Sequence, residues 1–267
     1  MVNPFVAVIN SILAEPQASL LNGILFGTKA SMPKYFYNAL VATGTLHIIA
    51  LSGMNISILT ALTAQITLFL GRKASSILTI CLIVLFVLFV GPAPSIVRAA
   101  MMGCLSLLAV YFGRRDWGVL SLFLVGGIML LFDFSLIKNI SFQLSFLATL
   151  GIILVNKIGE RQKKSGLLNQ IKYWLKENLK ITLSAQIFTL PIILYNFHRV
   201  SIIAPVANLL LEWVIQPVMV LGFITGITGY IWYPAGFIIG WVVWVPLTYF
   251  IVIVEFLAKV PGASIQF

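Results

Sequence analysis

The sequence predicts an all-α polytopic membrane helix bundle, with about eight spanning segments, some of them broken or re-entrant, and interfacial helices at the N-terminus. Three observations predict it. Hydrophobic residues fill 60% of the 267 positions and charged residues 9%, against about a quarter charged in soluble domains. Several apolar stretches approach or exceed the roughly 20 residues that cross a hydrocarbon core. Runs such as 77–90 do not alternate apolar with polar residues, as the strands of a membrane β-barrel must.

The elements follow in order. Apolar pieces at 5–13 and 18–26 are separated by Glu15-Pro16 and followed by Lys29, Pro33 and Lys34. They are too short to span and suit helices lying at the interface, so 1–42 reads as an interfacial lead-in. Spanning segments are expected at 43–70, 76–90, 95–112, 117–132, 140–156, 181–197, 202–230 and 235–257. The sequence shows no clear repeat or low-complexity linker, and 1–267 reads as one domain.

The formal charge is +10. The positive-inside rule and anionic headgroups account for such a balance, and it also suits a polyanionic substrate. Arg72, Lys73, Arg114, Arg115 and the basic stretch 157–180 fall on one side of the eight-span topology. That side is expected to be cytoplasmic, which places both termini outside. Within the stretch, Trp174 and Leu175 lie among Lys172, Lys176 and Lys180, the pattern of an interfacial amphipathic helix.

Cys81 and Cys104 sit in apolar surroundings and read as small core residues. His47 and His198, about 150 positions apart, offer no metal-ligand spacing, so no metal or cofactor is expected. No nucleotide-binding glycine loop occurs. The N-terminus lacks the positive region of a signal peptide. The pairs Gly222/Gly226 and Gly236/Gly240 have the small-xxx-small spacing that lets helices approach closely.

Function is sought where apolar helices carry polar groups. On the first span His47 and Asn55 share a helical line, with Ser52 beside it. These groups either make interhelical hydrogen bonds or line a polar path. Arg98, near the outer end of the third span, either snorkels to headgroups or turns inward to Glu212 or a substrate phosphate. The fifth span carries Gln143, Ser145 and Thr149, and the sixth carries Gln186 ahead of Pro191. Pro205, Asn208, Glu212, Gln216 and Pro217 are enough to break the seventh span or make it re-entrant. No catalytic set stands out, although Ser52 with His47 keeps an intramembrane hydrolase in view. A small-solute transporter, with a midplane pocket at broken helices, is a further alternative.

Four ordered blocks carry a family resemblance. Thr45-Leu-His47-Ile-Ile-Ala-Leu-Ser52-Gly53-Met-Asn55 resembles the histidine-to-SG motif of the ComEC family, the bacterial DNA-uptake channel of competence. Gly91-Pro-Ala-Pro-Ser95-Ile-Val-Arg98-Ala99 with Met101 resembles its arginine block, and Phe142-Gln143-Leu-Ser145-Phe146 through Gly151 its FQLSF block. Ala185-Gln186 through Pro191, then Ser201 through Asn208, resemble its late block, and Gly23 through Lys29 its lead-in. Asn55 stands where many members are expected to carry a second histidine, which favours a structural or lining role there.

The resemblance implies a channel, without catalytic residues, that passes single-stranded DNA across the bacterial cytoplasmic membrane during transformation. Membrane lipid surrounds it, and an extracytoplasmic DNA receptor and a cytoplasmic ATPase or single-strand-binding proteins are implied partners. The family's metallo-β-lactamase-like domain is not expected in this chain, and neither is its nuclease activity. His47, Ser52, Asn55, Arg98, Gln143, Ser145, Gln186 and Asn208 are the candidates for contacting the strand. Phe142 and Phe146 are candidate stacking surfaces.

Overall fold

In the computed structural model, residues 4–28, 32–49, 53–114, 117–156, 167–262 and 264–266 are described. Twelve helices run in the order α1 (Pro4–Ile12), α2 (Gln17–Phe26), α3 (Lys34–Ala42), α4 (Leu46–Ile49), α5 (Gly53–Thr67), α6 (Arg72–Val90), α7 (Pro94–Tyr111), α8 (Gly118–Phe132), α9 (Ile140–Asn156), α10 (Leu167–Phe197), α11 (Ala204–Ile231) and α12 (Tyr233–Ala258). Strands β1 (Arg199–Ser201) and β2 (Ser264–Gln266) form an antiparallel ribbon. Among the described residues, five helices are long and apolar enough to cross a membrane: α6, α7, α10 from Lys172, α11 and α12. The chain is a polytopic helical membrane protein. It divides into two compact units, 1–51 with 198–267, and 52–197.

In the first unit, α11 and α12 are the long pair, and α1 and α2 pack against them. Glycines set the closeness of this packing. A Cβ at Gly236 would collide with the Gly229 backbone, and one at Gly222 would stand 2.5 Å from Leu21 Cδ1. Gly240 similarly accommodates Ile12. Thus Gly222, Gly236 and Gly240 of the two small-xxx-small pairs each make room for a neighbour. Helix α2 is buried from Ala18 through Phe26, on all its faces.

The expected break in the seventh span is not found: α11 runs unbroken from Ala204 to Ile231. Pro205 lies in its first turn, where a missing N–H leaves no bond unmade. Pro217 lies inside the helix, as membrane helices tolerate. Of the expected span 43–70, α4 and α5 cover 46–49 and 53–67, and residues 50–52 lie outside the described residues. Gly44, ahead of α4, takes φ +70°, where a Cβ would press on Ala204 and Ser201.

The second unit holds α5 through α10. Here α5, α6 and α7 pack together, as do α7, α8 and α9, and α9 lies along α10. Gly151 of α9 lets α10 approach so closely that a Cβ would stand 2.7 Å from the Ser184 carbonyl. At 15 and 17 residues, α8 and α9 are roughly 22–26 Å long. They coincide closely with the expected segments 117–132 and 140–156. Asn139 caps α9 by accepting from the Ser141 and Phe142 amides at 3.0 and 3.3 Å. Cys81 is exposed on α6 rather than in the core, and both cysteines are free thiols. An exposed apolar thiol on a lipid-facing helix needs no buried site.

Candidate functional site: a buried arginine between three helices

The second unit collects its polar groups around Arg98. Pro94 starts α7 in its first turn, and Arg98 follows one turn later. Its side chain is turned inward and only 5% exposed, so it does not snorkel to the surface. Nε donates to Ser145 Oγ at 3.0 Å, and Nη1 donates to Thr149 Oγ1 at 2.5 Å. Nη1 also points at Met102 Sδ, 3.6 Å away. Ser145 and Thr149 are one turn apart on α9, so their hydroxyls present one face to the guanidinium. Thr149 Oγ1 in turn donates to the Ser145 carbonyl at 2.9 Å, which fixes its direction.

The third wall is the start of α5. A Cβ at Gly53 would lie 3.3 Å from Arg98 Nη2 and 3.1 Å from Ala99 Cβ. The glycine therefore gives the guanidinium and α7 the space they occupy. Asn55, two residues on, is 1% exposed. A glycine of one sequence block and two hydroxyls of another thus meet at the arginine of a third. Ser145, Thr149 and Met102 are neutral, so they orient the guanidinium without cancelling its charge. A buried cation with such partners suits an anion arriving from elsewhere, because hydrogen bonding to hydroxyls leaves the positive potential in place.

The remaining candidates are dispersed. Gln143 Nε2 donates to the Ile137 carbonyl at 2.6 Å and ties α9 to the 3-10 turn before it. Its bond closes a loop and does not join the arginine. Gln186 is partly buried on α10, and its carbonyl accepts from Thr189 Oγ1 at 3.2 Å. Ser52 lies outside the described residues. Phe142 is buried with Val125 and Met129, and Phe146 packs edge-on against Phe123 and fills the space left by Gly126. Both rings are used in packing, which corrects the expectation that they offer stacking surfaces.

Two candidates belong to the first unit. His47 is exposed, with Nδ1 donating to the Gly44 carbonyl at 2.9 Å, a local bond that closes the turn into α4. Asn208 of α11 has its Oδ1 buried without a hydrogen-bond partner among the described residues. Glu212, one turn further, is exposed. Sequence reasoning missed the polar pairs of this unit. Asn22, fully buried in α2, donates from Nδ2 to Asn10 Oδ1 at 2.7 Å, and Gln17 Nε2 donates to Thr248 Oγ1 at 3.2 Å. The signal was an amide inside the apolar run 18–26, whose cost in lipid demands a partner.

This fold and site define a helical membrane protein with a cationic group buried among hydroxyls. Comparison with known proteins gives the family. Residues 24–267 match the family described as Competence protein, and the chain belongs to that family. It is similar to ComE operon protein 3 of Bacillus subtilis (strain 168), at 31% identity over 204 residues, 76% of this chain. The chain spans about a quarter of the length of that relative. No solved structure matches it.

Proposed function

We propose that the chain forms the membrane channel through which single-stranded DNA crosses the bacterial cytoplasmic membrane during transformation. The observation that supports this most is the Arg98 cluster. DNA carries one phosphate charge per nucleotide, and a hydrocarbon path excludes it. A guanidinium fixed through Nε and Nη1 by two hydroxyls still offers Nη2 and its full charge to a passing phosphate oxygen. Neutral partners suit transport better than a carboxylate would, because the phosphate has no competing anion to displace. It can also leave again, as conduction requires.

In this reading Arg98 contacts phosphate, while Ser145 and Thr149 position it and Gly53 makes room. Asn55 and Gln186, of the same unit, supply neutral polar lining. The channel has no catalytic group of its own. The basic side at Arg72, Lys73, Arg114 and 157–180 faces the cytoplasm, with both termini outside. A DNA receptor outside and an ATPase or single-strand-binding protein inside complete the pathway.

The test is Arg98→Ala in competent cells, read as internalised label from tagged DNA at equal protein abundance in the membrane. The expected result is loss of internalisation with surface-bound DNA unchanged. Internalisation at the wild-type rate would remove Arg98 from the path.

A further inference from the structure

A groove of about 380 Å³ runs along α10 in the second unit, lined by Val155 of α9 and by Lys176, Leu179, Lys180, Leu183, Ser184 and Ile187. Its residues are ordered by depth. Lys172, Lys176 and Lys180 follow one another at one-turn intervals, and Leu179, Leu183 and Ile187 continue the same face toward the middle of the helix. Glu177 lies on the flank of this stripe, three positions before Lys180, so three lysines face one acid there. Tyr173 and Trp174, both exposed, mark the level where aromatic side chains sit at the membrane–water boundary. From Lys176 to Ile187 the groove extends about 16 Å along the helix axis, close to half of a roughly 30 Å hydrocarbon core.

We propose that this groove is a binding site for one anionic phospholipid, its phosphate held by Lys176 and Lys180 and an acyl chain laid against Leu179, Leu183 and Ile187. Charge complementarity selects the headgroup, since lysines at three successive turns outnumber the one acid on their flank and leave a net positive end. The apolar floor selects the rest of the molecule. A nucleic acid strand would meet aliphatic side chains below the lysines, where its next phosphate needs a cation. A lipid places its only charge at the top and hydrocarbon beneath. The length of one leaflet fits this occupant, and the claim stands independently of any role in DNA transport.

Native mass spectrometry of the purified protein tests it, with isotopically distinct phosphatidylglycerol and phosphatidylcholine offered in equal amounts. The wild-type protein and a Lys138→Gln control are expected to retain one phosphatidylglycerol in preference to phosphatidylcholine. The double variant Lys176→Gln/Lys180→Gln is expected to retain it about thirtyfold less tightly, the worth of two lysine–headgroup contacts. Ile187→Trp, which fills the exposed lower groove while keeping both lysines, is expected to weaken retention as well. Circular dichroism checks that each variant is folded. Undiminished retention in the double variant would overturn the proposal. So would equal retention of the two lipids, or displacement of the lipid by a short single-stranded oligonucleotide, which would assign the lysines to nucleic acid.

Discussion

Arg98 Nε donates to the Ser145 hydroxyl at 3.0 Å and so joins α7 to α9 across 47 positions of sequence. With the Thr149 hydroxyl on Nη1, the guanidinium is held in one plane by two neutral groups from one helical face. Hydrogen bonds to a charged group contribute about 1.5–3 kcal/mol in proteins, and interhelical bonds in membranes average about 0.6 kcal/mol. The double substitution Ser145→Ala/Thr149→Val leaves the charge but removes the grip. It is expected to lower stability by about 1–3 kcal/mol and to cut DNA uptake at equal abundance. Thermal unfolding in detergent and an uptake assay read the two effects separately.

Gly53 stands where a methyl group would press on both Ala99 and Arg98. Gly53→Ala is expected to destabilise by about 1 kcal/mol through overpacking. Removing the facing methyl with Ala99→Gly should recover part of that loss, because it reopens the tighter of the two contacts. A leucine at position 53 has no such remedy and should abolish uptake. Stability of the single and double variants measured together decides the matter. Failure of Ala99→Gly to relieve Gly53→Ala would disprove the contact.

The meeting of α11 and α12 at Gly229 and Gly236 gives a prediction in the first unit. Gly236→Ala sets a methyl into backbone and should cost about 1–3 kcal/mol by forcing the helices apart. Gly127 of α8 has open space around it, so Gly127→Ala should be neutral or stabilising by up to about 1 kcal/mol from helix propensity. Unfolding midpoints of the two variants should therefore move in opposite directions or differ clearly in size.

Gln143 separates folding from transport. Its side chain holds the Ile137 carbonyl, so Gln143→Leu should loosen the turn before α9 and lower protein yield. Uptake per molecule should stay near wild type. A loss of uptake as complete as that of Arg98→Ala, at equal abundance, would place Gln143 on the path instead.

The helical membrane class was legible from composition and apolar run length, and Arg98 and Ser145 were legible as polar residues inside apolar helices. What pattern could not give was direction. Arg98 reads equally as a snorkelling or an inward residue until α9 is seen to present Ser145 and Thr149 to it. Thr149 escaped the candidate set because a threonine in an apolar helix commonly bonds its own backbone; here the same hydroxyl also receives the guanidinium. Phe142 and Phe146 reached the stacking set because rings look alike in sequence, whether they face a ligand or a core. The turn ahead of α4 depended on Gly44 at positive φ, a conformation that the letter Gly permits without requiring.

The central claim is that the strand passes Arg98. The most direct measurement is crosslinking of DNA arrested in mid-uptake, using a photoreactive phenylalanine in place of Met102, whose sulfur lies beside the guanidinium. The same probe in place of Leu131, which is 88% exposed on α8, serves as the lipid-facing reference. The account predicts a DNA adduct from position 102 and none from position 131. Uptake that proceeds with no adduct at 102, or with equal adducts at both positions, would contradict it.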